Sequence, residues 1–390
     1  MKVARTRVRS GVQSYIGGAV RVAIGRNPAV LSSFERLYLD HAATTVLLPQ
    51  ARAAVAEAMA GWANPSSPHA DGRRARAAFE HARRMIADAL GWRHDVILTS
   101  GASEAVQIVA ARARAERRIV GPTEHDVVTA AMGAGAVVLP VDANGLIDLA
   151  ALEVELTAGP ALVAVQLVNN ETGVIQPIER MQEIVRASGS LLIADCAQGA
   201  GKIALPDADF IAVSAHKFGG PPGAGALFVR DLATLEPSGG QERGYRRGTE
   251  NWPAVAGMAA ALATRAFAEA MPRLATLRQA LERDIAASDG MVIGPDVPRI
   301  ATIGAYAMPG IASASQLVQL DLAGISVSAG SACSSGSMKP SRVLAAMGVP
   351  EDVARCVIRV SFGPSTSQTD VERFLTEWRR IRNHAKAEAA

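Results

Sequence analysis

Between residues 95 and 230 the chain alternates short apolar runs with helical patterns, and this alternation narrows the fold more than any other feature. The runs are DVILTS, RIV, AVVLPV, ALVAVQLV, LLIADC, DFIAVSA and GALFVR. Helical patterns separate most of them: one from Ser103, one after His125, one over 148–157 and one over 178–187. Strands so continuously apolar are buried on both faces, as in a parallel sheet wrapped by helices. The expected class is therefore α/β, with a large domain on a mainly parallel seven-stranded sheet. Ligands of such sheets sit beyond the carboxyl ends of the strands. The polar residues that interrupt the apolar pattern fall at those ends.

Two of these ends stand out. The run LLIADC closes on Asp195, with Gln198 just beyond, and DFIAVSA closes on Ser214, His216 and Lys217, 22 residues after the aspartate. An acid and a lysine ending successive strands suit a pyridoxal-phosphate site. The lysine holds the aldehyde as a Schiff base, and the carboxylate keeps the pyridine nitrogen protonated so that the ring draws electrons. Strand ends of α/β sheets also carry Asp and Lys simply for solubility, so the pair alone leaves both readings open.

The neighbouring strand ends add to it. TSGASEA (99–105) follows a strand and opens a helix, where the amides of Ala102 and Ser103 make an anion site. Ser103 serves equally as a helix cap. TEHDVV (123–128) places His125 on the same face, structural or ligand-directed. In VNNETG (168–173) one amide, Asn169 or Asn170, reaches toward a ligand while the other and Glu171 hold the turn.

Composition sets limits. Aromatic residues are 4% of the chain, too few for the stacking platforms that hold single-stranded nucleic acid. No apolar run is long enough to span a membrane. Residues 1–34 carry Lys2, Arg5, Arg7, Arg9, Arg21 and Arg26 and no acid, so with a net charge of +3 the rest of the chain is slightly acidic and offers nothing to a polyanion. We set residues 1–36 apart as a basic extension, disordered or upstream of the true start, or alternatively an organellar transit peptide. Residues 37–265 then form the large domain. Residues 266–390 form a smaller α+β domain, with helical patterns over 253–287 as the bridge. The loop SGGQERGYRRGTEN (238–251) has too few apolar residues to pack on its own.

Of three cysteines, Cys196 and Cys356 sit in apolar runs and read as buried thiols. Cys333 lies in GSACSSGS, a small-residue loop expected to stay mobile, and reads as a free reactive thiol. Arg359 is the one charge inside the apolar run VIRVSF. A buried guanidinium needs a carboxylate, internal or belonging to a substrate.

Taken together, YLDHAATT, NPSSPHADG, TSGASEA, TEHDVV, VNNETGVIQP, ADCAQ, SAHKFGGPPGAGAL, GGQERGYRRGTEN, GSACSSGSMKPS and IRVSFG occur in the order found in cysteine desulfurases. The chain resembles these class-V pyridoxal-phosphate enzymes over about residues 37–385. Its short Ser-Ala-Cys-Ser loop is similar to the group I type of nitrogen fixation and iron–sulfur assembly. The resemblance implies the type I fold of pyridoxal-phosphate enzymes. It implies Lys217 as the Schiff-base lysine, Asp195 as partner of the pyridine nitrogen, and His125 stacked on the ring. It implies Gln198 and Asn170 at the ring oxygen, with Asn170 also near substrate. Ala102, Ser103, Ser214 and His216 would hold the phosphate, with Thr249 reaching in from a second subunit. Arg359 would bind the substrate carboxylate, and Cys333 would accept sulfur with His125 assisting its proton transfer. The family often has Thr where Ser103 stands and Asn where Gln107 stands.

The implied reaction converts L-cysteine to L-alanine and a persulfide on Cys333, passed to an iron–sulfur scaffold or sulfur carrier, with no metal needed for catalysis. A homodimer in the cytoplasm is expected, or in an organellar matrix if the extension is a transit peptide, with no nucleic-acid or membrane partner. Selenocysteine lysis or another class-V reaction is the alternative, and a sulfur-trafficking protein without catalysis the more distant one.

Overall fold

The chain's structure, a computed structural model, describes residues 36–61, 63–330 and 341–389. The readings placed on residues 1–35 and on Cys333 lie outside the described residues. The first elements are a two-residue strand, β1 (Leu37–Tyr38), and two helices, α1 (Pro49–Ala60) and α2 (Ala70–Ala89). Pro49 fits the first turn of α1, where its missing amide leaves no bond unmade. Helix α2 begins inside the motif NPSSPHADG, because His69 Nδ1 accepts the Gly72 amide at 3.3 Å and caps it.

The alternating region follows as β2 (Asp95–Thr99), α3 (Ala102–Arg112), β3 (Arg117–Val120), α4 (Asp126–Met132), β4 (Val137–Val138) and α5 (Leu149–Leu156). It continues through β5 (Ala161–Gln166), α6 (Ile178–Ala187), β6 (Leu191–Asp195), β7 (Phe210–Ser214) and β8 (Gly225–Val229). These strands form one seven-stranded sheet in the order β2-β8-β7-β6-β5-β3-β4. Only β8 runs against its neighbours, so the carboxyl ends of the other strands share one edge. The expected α/β class is the observed one. Every residue of β5, β7 and β8 is buried, as two covered faces require. Strand β4 is shorter than the run AVVLPV. Leu139 still donates to Val120 O at 3.0 Å, but Pro140 has no amide with which to continue the ladder.

The helical patterns expected over 253–287 form two helices, α7 (Trp252–Ala263) and α8 (Ala266–Ala287). Thr264 Oγ1 accepts the Ala266 amide at 3.2 Å, which competes with the helical ladder, and Arg265 turns into the left-handed region at φ 53°. The chain ends with β9 (Met291–Val292), β10 (Ile303–Ala307), α9 (Ser313–Leu322), β11 (Ile325–Ser326), α10 (Arg342–Ala346), α11 (Glu351–Ala354), β12 (Val357–Ser361) and α12 (Gln368–Ala389). Strands β12, β10 and β9 make a small antiparallel sheet. Its core, around Leu281, Tyr306, Ile358, Phe374 and Trp378, is distinct from the cores on the two faces of the large sheet. Leu37 and Leu39 belong to this C-terminal core, and β1 pairs in parallel with β11. The alternating apolar side chains of LYL are buried there because β11 offers a strand edge beside an apolar layer. The next residues, 40–45, are thereby led across to the carboxyl edge of the large sheet.

Candidate active site

The strand ends enclose a cavity of about 570 Å³. The start of α3 contributes Ala102 and Ser103, and α4 contributes His125. Asn170 follows β5, Asp195 and Gln198 close β6, Ser214, His216 and Lys217 close β7, and Arg359 enters from β12. Helix α3 starts one residue before the position expected. Its cap is Gly101, no side chain bonds its first amides, and Ser103 is therefore not the cap. The turn is packed to its limit. A Cβ on Gly225 would stand 2.5 Å from Gly101 Cα, and one on Gly101 would touch Ser214 Oγ at 3.4 Å. Glu104 braces it, accepting the Ser100 amide at 2.5 Å and Arg246 Nε at 3.0 Å. The result is a set of helix N-terminal amides turned to the cavity, an anion cradle.

Lys217 Nζ donates to the carbonyls of Ala42 and Ala43 at 2.7 and 2.8 Å, both brought in by the segment after β1. Asp195 Oδ1 accepts the Ala197 amide at 2.9 Å. Burial raises its pKa, against the lowering by that amide and by His125 and Lys217. A carboxylate so placed favours a cationic partner. His125 caps α4 through Nδ1, which accepts the Val127 amide at 3.2 Å, so the ring proton sits on Nε2. Burial, then Lys217 and Lys202, hold His216 down to about 4. It is neutral at physiological pH and acts on an anion through a hydrogen bond. Its Nδ1 lies 3.2 Å from Thr44 Oγ1.

The question left open by the twin amides is answered. Asn169 holds the turn, with Oδ1 accepting the Glu171 and Thr172 amides at 2.9 and 2.8 Å, and Asn170 lines the cavity. Arg359 meets an internal carboxylate: Nη2 donates to Asp40 Oδ1 at 2.8 Å and Nη1 to Asn170 O at 3.0 Å. Glu171, buried and raised chiefly by that burial, accepts the Ser341 hydroxyl at 2.6 Å. A Cβ at Gly330 would lie 2.2 Å from Glu171 Oε2. The described residues on either side of 331–340 therefore both stand at Glu171, and Gly330 lines the cavity. Thr249 is exposed and does not line the cavity of its own chain.

Sequence reading missed Asp40, the Ala42 and Ala43 carbonyls, Lys202 and Glu124. Glu124 is fully buried next to His125, and burial raises its pKa well above the carboxylate range, against a lowering by the Gln166 amide. A charge in an apolar pattern signals Arg359, whereas Asp40 sits in a turn where an aspartate is unremarkable. An uncapped helix start for a phosphate, a buried carboxylate for a ring nitrogen and a lysine between them fit pyridoxal 5'-phosphate.

The family model "Aminotransferase class-V" matches residues 37–374. The chain is 35% identical over 365 residues to a cysteine desulfurase of Cereibacter sphaeroides, covering 87% of this chain and 94% of that one. It is 38% identical over 369 residues to an IscS-like cysteine desulfurase of Mycobacterium tuberculosis, covering 86% and 93%. The solved structure of a NifS-like protein from Rickettsia africae superposes with a TM-score of 0.81 at 29% identity, covering 90% of this chain and all of that one.

Proposed function

From the premise that the chain belongs to the class-V aminotransferases and is a cysteine desulfurase, we infer how its residues divide the reaction. The family works with pyridoxal 5'-phosphate, which when bound supplies an electron sink for the bonds at the substrate's Cα. Ala102, Ser103, Ser214 and neutral His216 would hold its phosphate, and Asp195 would pair with its ring nitrogen. His125 would stack on its ring, Gln198 and Asn170 would reach its ring oxygen, and Lys217 would provide the amine for its aldehyde. Lys217 Nζ, steered by the Ala42 and Ala43 carbonyls, takes the proton from Cα and returns it to the carbon skeleton. Arg359, aligned by Asp40 and Asn170 O, takes the substrate carboxylate. The thiolate of Cys333 attacks the substrate sulfur: the Cβ–S bond breaks, an S–S bond forms, and the skeleton leaves as alanine. His125 assists the proton transfer at the Cys333 thiol.

The observation that carries this reading is the meeting of Lys217, Asp195 and the uncapped start of α3 in one cavity. The stand of Gly330 and Ser341 at Glu171 supports Cys333 as the acceptor. Exposed Thr249, outside its own cavity, supports a homodimer in which it completes the partner's phosphate site. Persulfide then passes to an iron–sulfur scaffold or a sulfur carrier. Two buried free thiols, Cys196 and Cys356, suit a reducing compartment such as the cytoplasm.

The test is to add cysteine and follow alanine release together with mass gain on the peptide holding Cys333. Cys333→Ser should keep the visible absorption of the bound cofactor and lose both the added sulfur and sulfide release to a thiol. Lys217→Ala should lose alanine formation by at least about a thousandfold. Full sulfide release by Cys333→Ser would refute the assignment.

A further inference from the structure

Lys202 follows Gln198 by four residues in the turn after β6, a spacing that sets both side chains on one side. The turn is helical in its bonds, with Ala200 N donating to Cys196 O at 2.8 Å and Lys202 N to Gly199 O at 3.0 Å. Lys202 is 4% exposed. Its Nζ lies 3.4 Å from Gln198 Oε1 and 5.1 Å from the centroid of Phe267 on α8. The titratable groups it faces are Lys217, of like sign, and His41 and His216, each held down to about 4, chiefly by burial, and so neutral. Burying an ammonium without a carboxylate is costly, and burial together with Lys217 lowers this amine to about 7. The polar contact it makes toward the cavity is with Gln198.

Gln198 links this buried amine to the reacting one. Its Nε2 donates to Ala42 O at 2.8 Å, and the same carbonyl accepts Lys217 Nζ at 2.7 Å. An amide has an accepting end and a donating end, and a donor behind the oxygen fixes which end faces forward. Without Lys202 the oxygen would be buried with no partner, and the amide could turn over to solvate it. It would then present an acceptor to an anionic ligand oxygen.

We propose that Lys202 is a positioning residue that locks the Gln198 amide with its donor end toward the cavity, and so makes Gln198 a hydrogen-bond donor to the ring oxygen of the bound cofactor. The proposal rests on the reading of the cavity as a pyridoxal-phosphate site.

The test is a pH titration of the visible absorption of the bound cofactor in the holoenzyme. Lys202→Met keeps the apolar stem and removes the donor, and should move the midpoint by about one pH unit. Lys202→Arg keeps a donor at similar reach and should restore the midpoint to within about 0.3 unit. In a Gln198→Ala background, Lys202→Met should move it no further. An unmoved midpoint in Lys202→Met, or the same shift in both backgrounds, overturns the proposal. If Lys202→Met does not fold, Lys202→Arg decides: a wild-type midpoint supports the lock, and a displaced one overturns it. A folded protein without any visible band overturns the reading of the cavity, and the proposal with it.

Discussion

Replacing Glu242 tests how the strand that leads into the turn at the start of α3 is held in place. Strand β2 is an edge strand, so its outward polar groups need partners that the sheet does not supply. Two side chains supply them. Arg83 Nη1 donates to Val96 O at 2.8 Å, and Glu242 Oε2 accepts the Leu98 amide at 2.7 Å. The two side chains are paired through both guanidinium ends, at 2.5 and 2.8 Å, and Glu80 adds a second carboxylate at 2.9 Å. Both are buried, at 8% and 4% exposure. Breaking a buried pair from one side costs about 3–5 kcal/mol, and the remaining Glu80 sets the lower end here. The orphaned Leu98 amide adds about 1–3 kcal/mol. Glu242→Ala should therefore destabilise the protein by about 4 kcal/mol in urea unfolding. Arg83→Met with Glu242→Ala leaves no charge stranded, and the double change should cost less than the two single costs together by about 2 kcal/mol. Glu242 also sits at φ 50°, so Glu242→Gly should be about 1 kcal/mol less damaging than Glu242→Ala. Additivity within about 0.5 kcal/mol, or a loss under about 1 kcal/mol for Glu242→Ala, would refute the reasoning.

Arg359→Lys keeps the charge but not the fork that Asp40 and Asn170 O align, and should raise KM for cysteine by about tenfold or more with a smaller fall in kcat. An unchanged KM would remove Arg359 from substrate binding. Glu124 has a folded-state pKa raised above its unfolded value, so it binds more protons folded than unfolded, and its contribution is lost as pH rises through the folded value. Glu124→Gln does not titrate, so its urea midpoint relative to wild type should rise as pH climbs above the ordinary carboxylate range, and a constant difference would contradict the burial argument.

Much of the site was legible because strand ends are where a buried pattern must stop. Asp195, Ser214 and Lys217 each break an apolar run, and one sheet edge gathers them without further instruction. The pieces that were not legible share a different property. Asp40 meets Arg359 across 319 residues, and Glu242 meets Arg83 across 159. Nothing near Glu242 marks it as buried: its loop is rich in glycine and charge, and its partner lies on a helix whose pattern explains itself without it. Local pattern tells which residues prefer an apolar neighbour, but not which charges find each other. The same limit hid the break between α7 and α8, where no glycine or proline stands and a threonine hydroxyl diverts the ladder. Lys202 is the instructive case between these extremes. Its four-residue spacing from Gln198 was plain, and its burial was not, since a lysine after a glycine-rich turn ordinarily reaches solvent. Burial converts that spacing from coincidence into a constraint, because a donor that cannot reach water must use the amide beside it. The reacting lysine is thus found from its own strand, while what orients the groups around it is found only from the packing behind them.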